Sequence, residues 1–244
     1  MATSNERVLL GMLGNPPVIV APPRRPPVEL DNGDCMSREE FHRIYESAPE
    51  DFEAELIGGT VYVASPLKLG HGEPHLLLGM VLAMYARRTP GVRASDNTTV
   101  VLGDKSEPQP DLLVRILPEC GGQSSTSEGY VKGAPELIIE IAHSSTAVDL
   151  HGKKDDYTEH GVREYLVICV SENRLRWFDL VAERELQPNS AGIYRIEVFP
   201  GLWINGPALL AFDYDALIDT LEHGLATPEH AAFVEELAKR RAKS

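Results

Sequence analysis

Apolar and polar positions alternate along this chain in two rhythms. Ser37 followed three residues later by Glu40 has the form of a capping box and opens a helix to about Ser47, with Pro49 beyond its end. The stretches Phe52–Ile57 and Thr60–Ser65 alternate with a period of two around Gly58-Gly59, which predicts a β-hairpin with a tight turn. From Gly72 to about Arg88, Leu76, Leu77, Met80, Val81, Met84 and Tyr85 recur at helical spacing, with Pro74 in the first turn. Strands are expected near Thr98–Leu102 and Asp111–Leu117. Residues 118–133 are rich in Gly, Ser and Thr and read as a mobile surface loop.

Glu136–Ala142 is a continuous apolar strand broken by one carboxylate, Glu140. A helix over 147–160 follows and stops at Gly161, a residue suited to the C′ position. Glu164–Val170 is a second buried strand. Leu175–Val181 and Ile193–Phe199 read as further strands. Helices near Asp213–His223 and from Pro228 onward close the chain. The order helix, hairpin, helix, strands, helix, strands predicts an α/β chain of the α+β kind, a mixed sheet flanked by helices.

Composition adds boundaries. With 244 residues, 43% hydrophobic and 25% charged, the chain can bury a core without disulfides or structural metal. Pro16, Pro17, Pro22, Pro23, Pro26 and Pro27 make residues 1–33 an extended Pro-rich arm. Residues 34–204 then form the main domain and 205–244 a C-terminal helical extension. No apolar run reaches the length of a membrane span, and no signal-peptide pattern is present, so the expected location is cytoplasmic, with no membrane partner. Cys35, Cys120 and Cys169 show no metal-binding spacing, and Cys169 reads as a buried core thiol. His151, His160, His223 and His230 share no metal spacing either.

A carboxylate in a buried strand must be paired, protonated or bound to a cation. Glu55, Asp111 and Glu140 are three such residues, and if their strands are neighbours their oxygens can converge on Mg²⁺ or Mn²⁺. Asp149, Lys153 and Tyr157 are spaced i, i+4, i+8 and share one helix face, from which Lys153 can reach back over the acids. On spacing alone, the ordinary reading is a plain surface Asp149–Lys153 pair. The net charge of −14 opposes nucleic-acid binding, which rests largely on Lys and Arg.

Several segments together resemble the Uma2 family of endonucleases in the PD-(D/E)xK superfamily. They are Glu55-Leu-Ile-Gly-Gly-Thr-Val-Tyr62, Ser65-Pro66 with His71, Gln109-Pro-Asp111-Leu, Glu140 with Ser144-Ser-Thr146, and Asp149-x₃-Lys153-x₃-Tyr157-x₃-Gly161-Val-x-Glu164-Tyr165. The resemblance spans about residues 36–200. It implies a restriction-endonuclease-like core and metal-dependent cleavage of nucleic acid, with DNA as the expected substrate and a homodimer as the expected assembly. It also implies that Asp111 and Glu140 bind Mg²⁺ (or Mn²⁺), that Glu55 assists as a metal ligand, and that Lys153 acts in catalysis. Ala142 stands where a classical member has its lysine, so the lysine comes from the following helix. Lys154 points about 100° away and ranks second. His71 is implied in orienting phosphate or moving a proton, and Gln109 in positioning a ligand or satisfying backbone groups. The competing expectations are a nuclease-fold binding or regulatory protein without useful cleavage, and a hydrolase of smaller phosphate esters.

Overall fold

The computed structural model describes residues 28–49, 51–64, 69–142 and 148–244. The proline run, Ser65-Pro66, His143 and Ser144–Thr146 lie outside the described residues. Helix α1 (Arg38–Tyr45) starts at Ser37, whose side chain accepts from the Glu40 N–H. Strands β1 (Ala54–Ile57) and β2 (Thr60–Val63) form the expected hairpin. Its turn residues Gly58 and Gly59 take φ of +57° and +84°, a conformation that costs an L side chain energy but not glycine.

Helix α2 (Leu69–Arg88) begins before Gly72, so Pro74 is the sixth residue rather than part of the first turn. Its buried face is Leu77, Leu78, Val81, Leu82 and Tyr85, whereas Leu76, read as part of that face, is exposed. Next come β3 (Val92–Asp96), β4 (Val100–Val101) and β5 (Leu112–Ile116). The segment 118–133 is not an irregular loop. It carries a 3₁₀ turn at Pro118–Cys120 and the hairpin of β6 (Ser125–Ser127) and β7 (Tyr130–Lys132). Glu128 and Gly129, both at positive φ, make its two-residue turn, and β7 pairs in parallel with β4. The buried Glu136 carboxylate anchors the segment by accepting from the N–H groups of Ile116 and Gln123.

Strand β8 (Leu137–Ala142) leads through a π-helical turn, Val148–Lys153, into α3 (Lys154–Glu159) and then β9 (Glu164–Cys169). The continuous α-helix expected over 147–160 is therefore split, and the wide turn falls at the lysine. Strands β10 (Arg174–Asp179), β11 (Arg184–Leu186), β12 (Ile193–Arg195) and β13 (Trp203–Asn205) follow, then α4 (Gly206–Leu210), α5 (Tyr214–Leu225) and α6 (Pro228–Arg241). The strand expected over Ile193–Phe199 stops at Arg195.

The central sheet runs β11-β10-β9-β8-β5-β3. Only β8–β9 is parallel, so it is a mixed sheet. Alternate residues serve opposite faces. Leu112, Val114, Ile139, Ile141, Leu166 and Ile168 join α2 and the C-terminal helices in one core. Leu113, Ile138, Ala142, Val167 and Cys169 face Tyr157, Val162 and Tyr165 in a second. Glu140 occupies the position between Ile138 and Ala142 in that second stripe. The β1–β2 hairpin is not part of this sheet. It packs with α1 over Leu30 and Phe41 and joins the rest through the Leu56–Glu107 bridge, the Gly59 N–H donating to the Lys105 carbonyl, and bonds from Glu55 to Gln109 and Lys153. No described helix is long and apolar enough to cross a membrane.

Candidate active site

Asp111 sits one residue before β5, and its Oδ2 accepts a 2.6 Å hydrogen bond from the Ile141 N–H on the neighbouring strand. That bond ties Asp111 to the residue next to Glu140, so the two acids share one end of the β5–β8 pair. Glu55 arrives from the hairpin, held by the Gln109 N–H donating to its Oε2 at 3.3 Å. Gln109 also bonds the Tyr45 hydroxyl and the Asn97 carbonyl, so it braces backbone and hairpin together.

Lys153 reaches the acids from the π-helical turn. Its Nζ lies 2.7 Å from Glu55 Oε1, 3.0 Å from Glu140 Oε1 and 3.7 Å from Asp149 Oδ1. Asp149 and Lys153 are buried, which overturns the surface-pair reading of their spacing. The Tyr157 hydroxyl donates to the same Glu140 oxygen at 2.9 Å, and the Tyr165 hydroxyl to the Asp149 carbonyl at 3.1 Å. Lys154 points elsewhere, its ammonium 4.9 Å from the Phe178 ring centre. The helix face read from the sequence thus holds, but around a buried carboxylate rather than at the surface.

The electrostatics follow from four buried or half-buried acids around one ammonium. Burial favours loss of the Lys153 proton, yet the charges of Glu140, Glu55 and Asp149 outweigh it and hold the amine charged well above its usual range. Burial pushes the Glu140 carboxyl well above its ordinary value; Lys153 offsets this only in part, and Asp111, Asp149 and Glu55 push the same way. Asp111 shifts downward: burial opposes ionisation, but the hydrogen bond and charge of His71, with the Ile141 N–H and Lys153, prevail. His71 Nε2 lies 2.9 Å from Asp111 Oδ1, and that bond raises the His71 pKa against its burial.

The donor set suits a hard divalent cation. Glu55, Asp111, Glu140 and Asp149 carry −4 when ionised against +1 on Lys153, leaving −3 in a largely buried pocket. An ion with several oxygen ligands is a natural complement to such an excess.

Two residues beside the site were not singled out from the sequence as site residues. Asp149 entered only as a spacing partner. His75 was passed over, although His71-x₃-His75 is a helical i, i+4 histidine pair readable in the sequence. Its ligand atom, one from His71 and one from Asp111 all lie within 4.8 Å of one another.

A mixed sheet with acids at the ends of two adjacent strands and a lysine returned by the next helix defines a restriction-endonuclease-like domain. The chain belongs to the Uma2 family: the family model, described as "Putative restriction endonuclease", matches residues 38–209. Among solved structures, the chain is similar to a protein of Anabaena variabilis described as a "putative nuclease belonging to DUF820". The two share 18% identity at a TM-score of 0.55, over 70% of this chain and 97% of that one. The comparison with curated proteins returned no match.

Proposed function

We propose that the protein is a divalent-metal-dependent endonuclease that hydrolyses phosphodiester bonds in DNA. The observation that carries this reading is Lys153, buried among Glu55, Glu140 and Asp149 at the end of the strand pair that bears Asp111. Asp111 and Glu140 would hold Mg²⁺ or Mn²⁺, with Glu55 beside them. When bound, the ion supplies a water of lowered pKa and stabilises charge on a phosphoryl oxygen.

The remaining work falls to the side chains. Lys153 stays cationic, so its part is to orient water or phosphate as a donor and to offset transition-state charge, not to accept a proton. Tyr157 fixes the Glu140 carboxylate. His71 fixes Asp111 through its 2.9 Å bond.

The test is incubation of the purified full chain with plasmid DNA, single-stranded DNA and RNA, with Mg²⁺ or Mn²⁺ and with chelator. Metal-dependent cleavage lost in Asp111→Ala and Lys153→Ala supports the reading; no cleavage of any substrate with either metal sinks it. A second reading, a nuclease-fold binding protein without turnover, is favoured by the net charge of −14. Metal-dependent DNA binding with no cleavage in the same assay would select it.

A further inference from the structure

We propose that His71, His75 and Asp111 form a binding site for a divalent transition-metal ion of the Zn²⁺ or Co²⁺ kind, distinct in its donor set from the all-oxygen centre. Residues four apart on an α-helix are rotated by about 40° and raised by about 6 Å, so their side chains stand one above the other. Two histidines so placed on the first turns of α2 converge on a point beyond the helix surface. Their rings lie 5.7 Å apart between centres at 83°, so one edge faces the other ring instead of the two stacking.

Asp111 completes the group from the start of β5. A ligand atom from each of the three residues lies within 4.8 Å of the other two. A tetrahedral ion with bonds of about 2.0–2.1 Å spaces its ligands roughly 3.4 Å apart, so closing the triad requires only side-chain rotation. His71 Nε2 and Asp111 Oδ1, at 2.9 Å, are already inside that spacing.

A second observation points the same way. His71 is buried, and its Nδ1 has no hydrogen-bond partner among the described residues. A ring nitrogen left this way is costly unless something occupies it. An ion coordinated through Nδ1 would fill that position and leave Nε2 on Asp111 as it stands.

The donor chemistry separates this site from the neighbouring one. Two imidazole nitrogens and a carboxylate select borderline transition ions, whereas Glu55, Asp111 and Glu140 offer only hard oxygens. Three protein ligands also leave a coordination position open, the pattern of a site that takes water or a phosphate oxygen. Asp111 belongs to both sets, so an ion on the histidines sits next to the carboxylate centre. The proposal rests on metal binding alone and does not depend on nucleic-acid cleavage.

The experiment titrates the full chain with Co²⁺ without nucleic acid, reading the visible ligand-field bands and the calorimetric affinity. The wild type is expected to bind one Co²⁺ with a nitrogen-ligated spectrum. His75→Gln, at a partly exposed helix position where folding is not at stake, is expected to weaken binding at least tenfold, the loss that even outer-sphere changes can bring. His71→Asn is expected to do the same, with circular dichroism confirming the fold. Glu140→Gln is expected to keep the nitrogen-ligated bands. No Co²⁺ binding by the wild type, wild-type affinity in His75→Gln, or bands lost in Glu140→Gln but kept in His75→Gln would each overturn the proposal.

Discussion

Lys153 is the residue on which the acidic centre balances. Removing one partner of a buried ion pair costs about 3–5 kcal/mol, because the charge left behind is uncompensated. Lys153→Met is therefore expected to destabilise the protein by that order. Mg²⁺ should recover more of the melting temperature in this variant than in wild type, because the ion replaces the missing cation; equal shifts in calorimetry would mean that the carboxylates hold no ion. Glu164 gives a pH signature of its own. It accepts from the Trp177 indole at 2.9 Å and the Val198 N–H at 3.2 Å, and burial pushes its carboxyl up to about 7. Its neutral form is favoured in the fold, so stability is greatest below the unfolded value near 4.5 and falls as pH rises toward 7. The loss is on the order of 3 kcal/mol. Glu164→Gln is expected to flatten this slope and to melt higher than wild type at pH 8 in denaturation curves across pH 5–8. The candidate site was largely legible at this scale, because a carboxylate inside Leu137-Ile-Ile-Glu-Ile141 demands a counter-charge. What could not be read was depth: spacing placed Asp149 and Lys153 on one face, but only the β9 and α3 aromatics above them bury the pair.

At the level of elements, the hairpin is the delicate part. Gly58 and Gly59 both need positive φ, and an L side chain there costs roughly 1–2 kcal/mol. Gly58→Ala is expected to lower hairpin stability by that amount, seen as faster amide exchange in β1 and β2 with little change in β8 and β9. If exchange rises equally in all four strands, the hairpin is not an independent unit. The hairpin was plain in the sequence because Gly-Gly between alternating runs has one good solution. The strands missed are edge or short ones. Arg93 and Asp96 mask β3 behind polar residues that face solvent, and β11 has only three residues on the sheet's rim. The π-helical turn at 148–153 was invisible as well. No local residue pattern distinguishes it from an α-turn, and it places Lys153 as the last residue before α3.

For the whole molecule, the C-terminal helices are bound into the principal core. Leu217, Leu221, Leu225 and Leu237 share that cluster with the sheet, Gly224 packs directly against the Gly201 backbone, and His230 bonds Thr89 at the end of α2. A chain truncated after Asn205 is expected to lose cooperative unfolding, measured by circular dichroism against urea; a sharp transition near the wild-type midpoint would show that residues 34–204 stand alone. In the sequence these helices look separable, because their apolar spacing says only that one face is covered, not by what. The charge of −14 also acts at this scale. With 37 acids against 23 Lys and Arg, any DNA binding under the proposed function is expected to respond steeply to divalent metal and only weakly to monovalent salt.

The docking of the hairpin through Leu56, Gly59 and Glu55 has a consequence for how the chain is made. Glu55, Asp111 and Glu140 lie far apart in sequence and meet only after β5 has zipped to β8 and the hairpin has docked. Loop closure over such separations comes late in folding. A nascent or partly melted chain therefore lacks the assembled acidic centre. Undocking the hairpin alone would separate Glu55 from Asp111 and Glu140 while the sheet beneath stays intact.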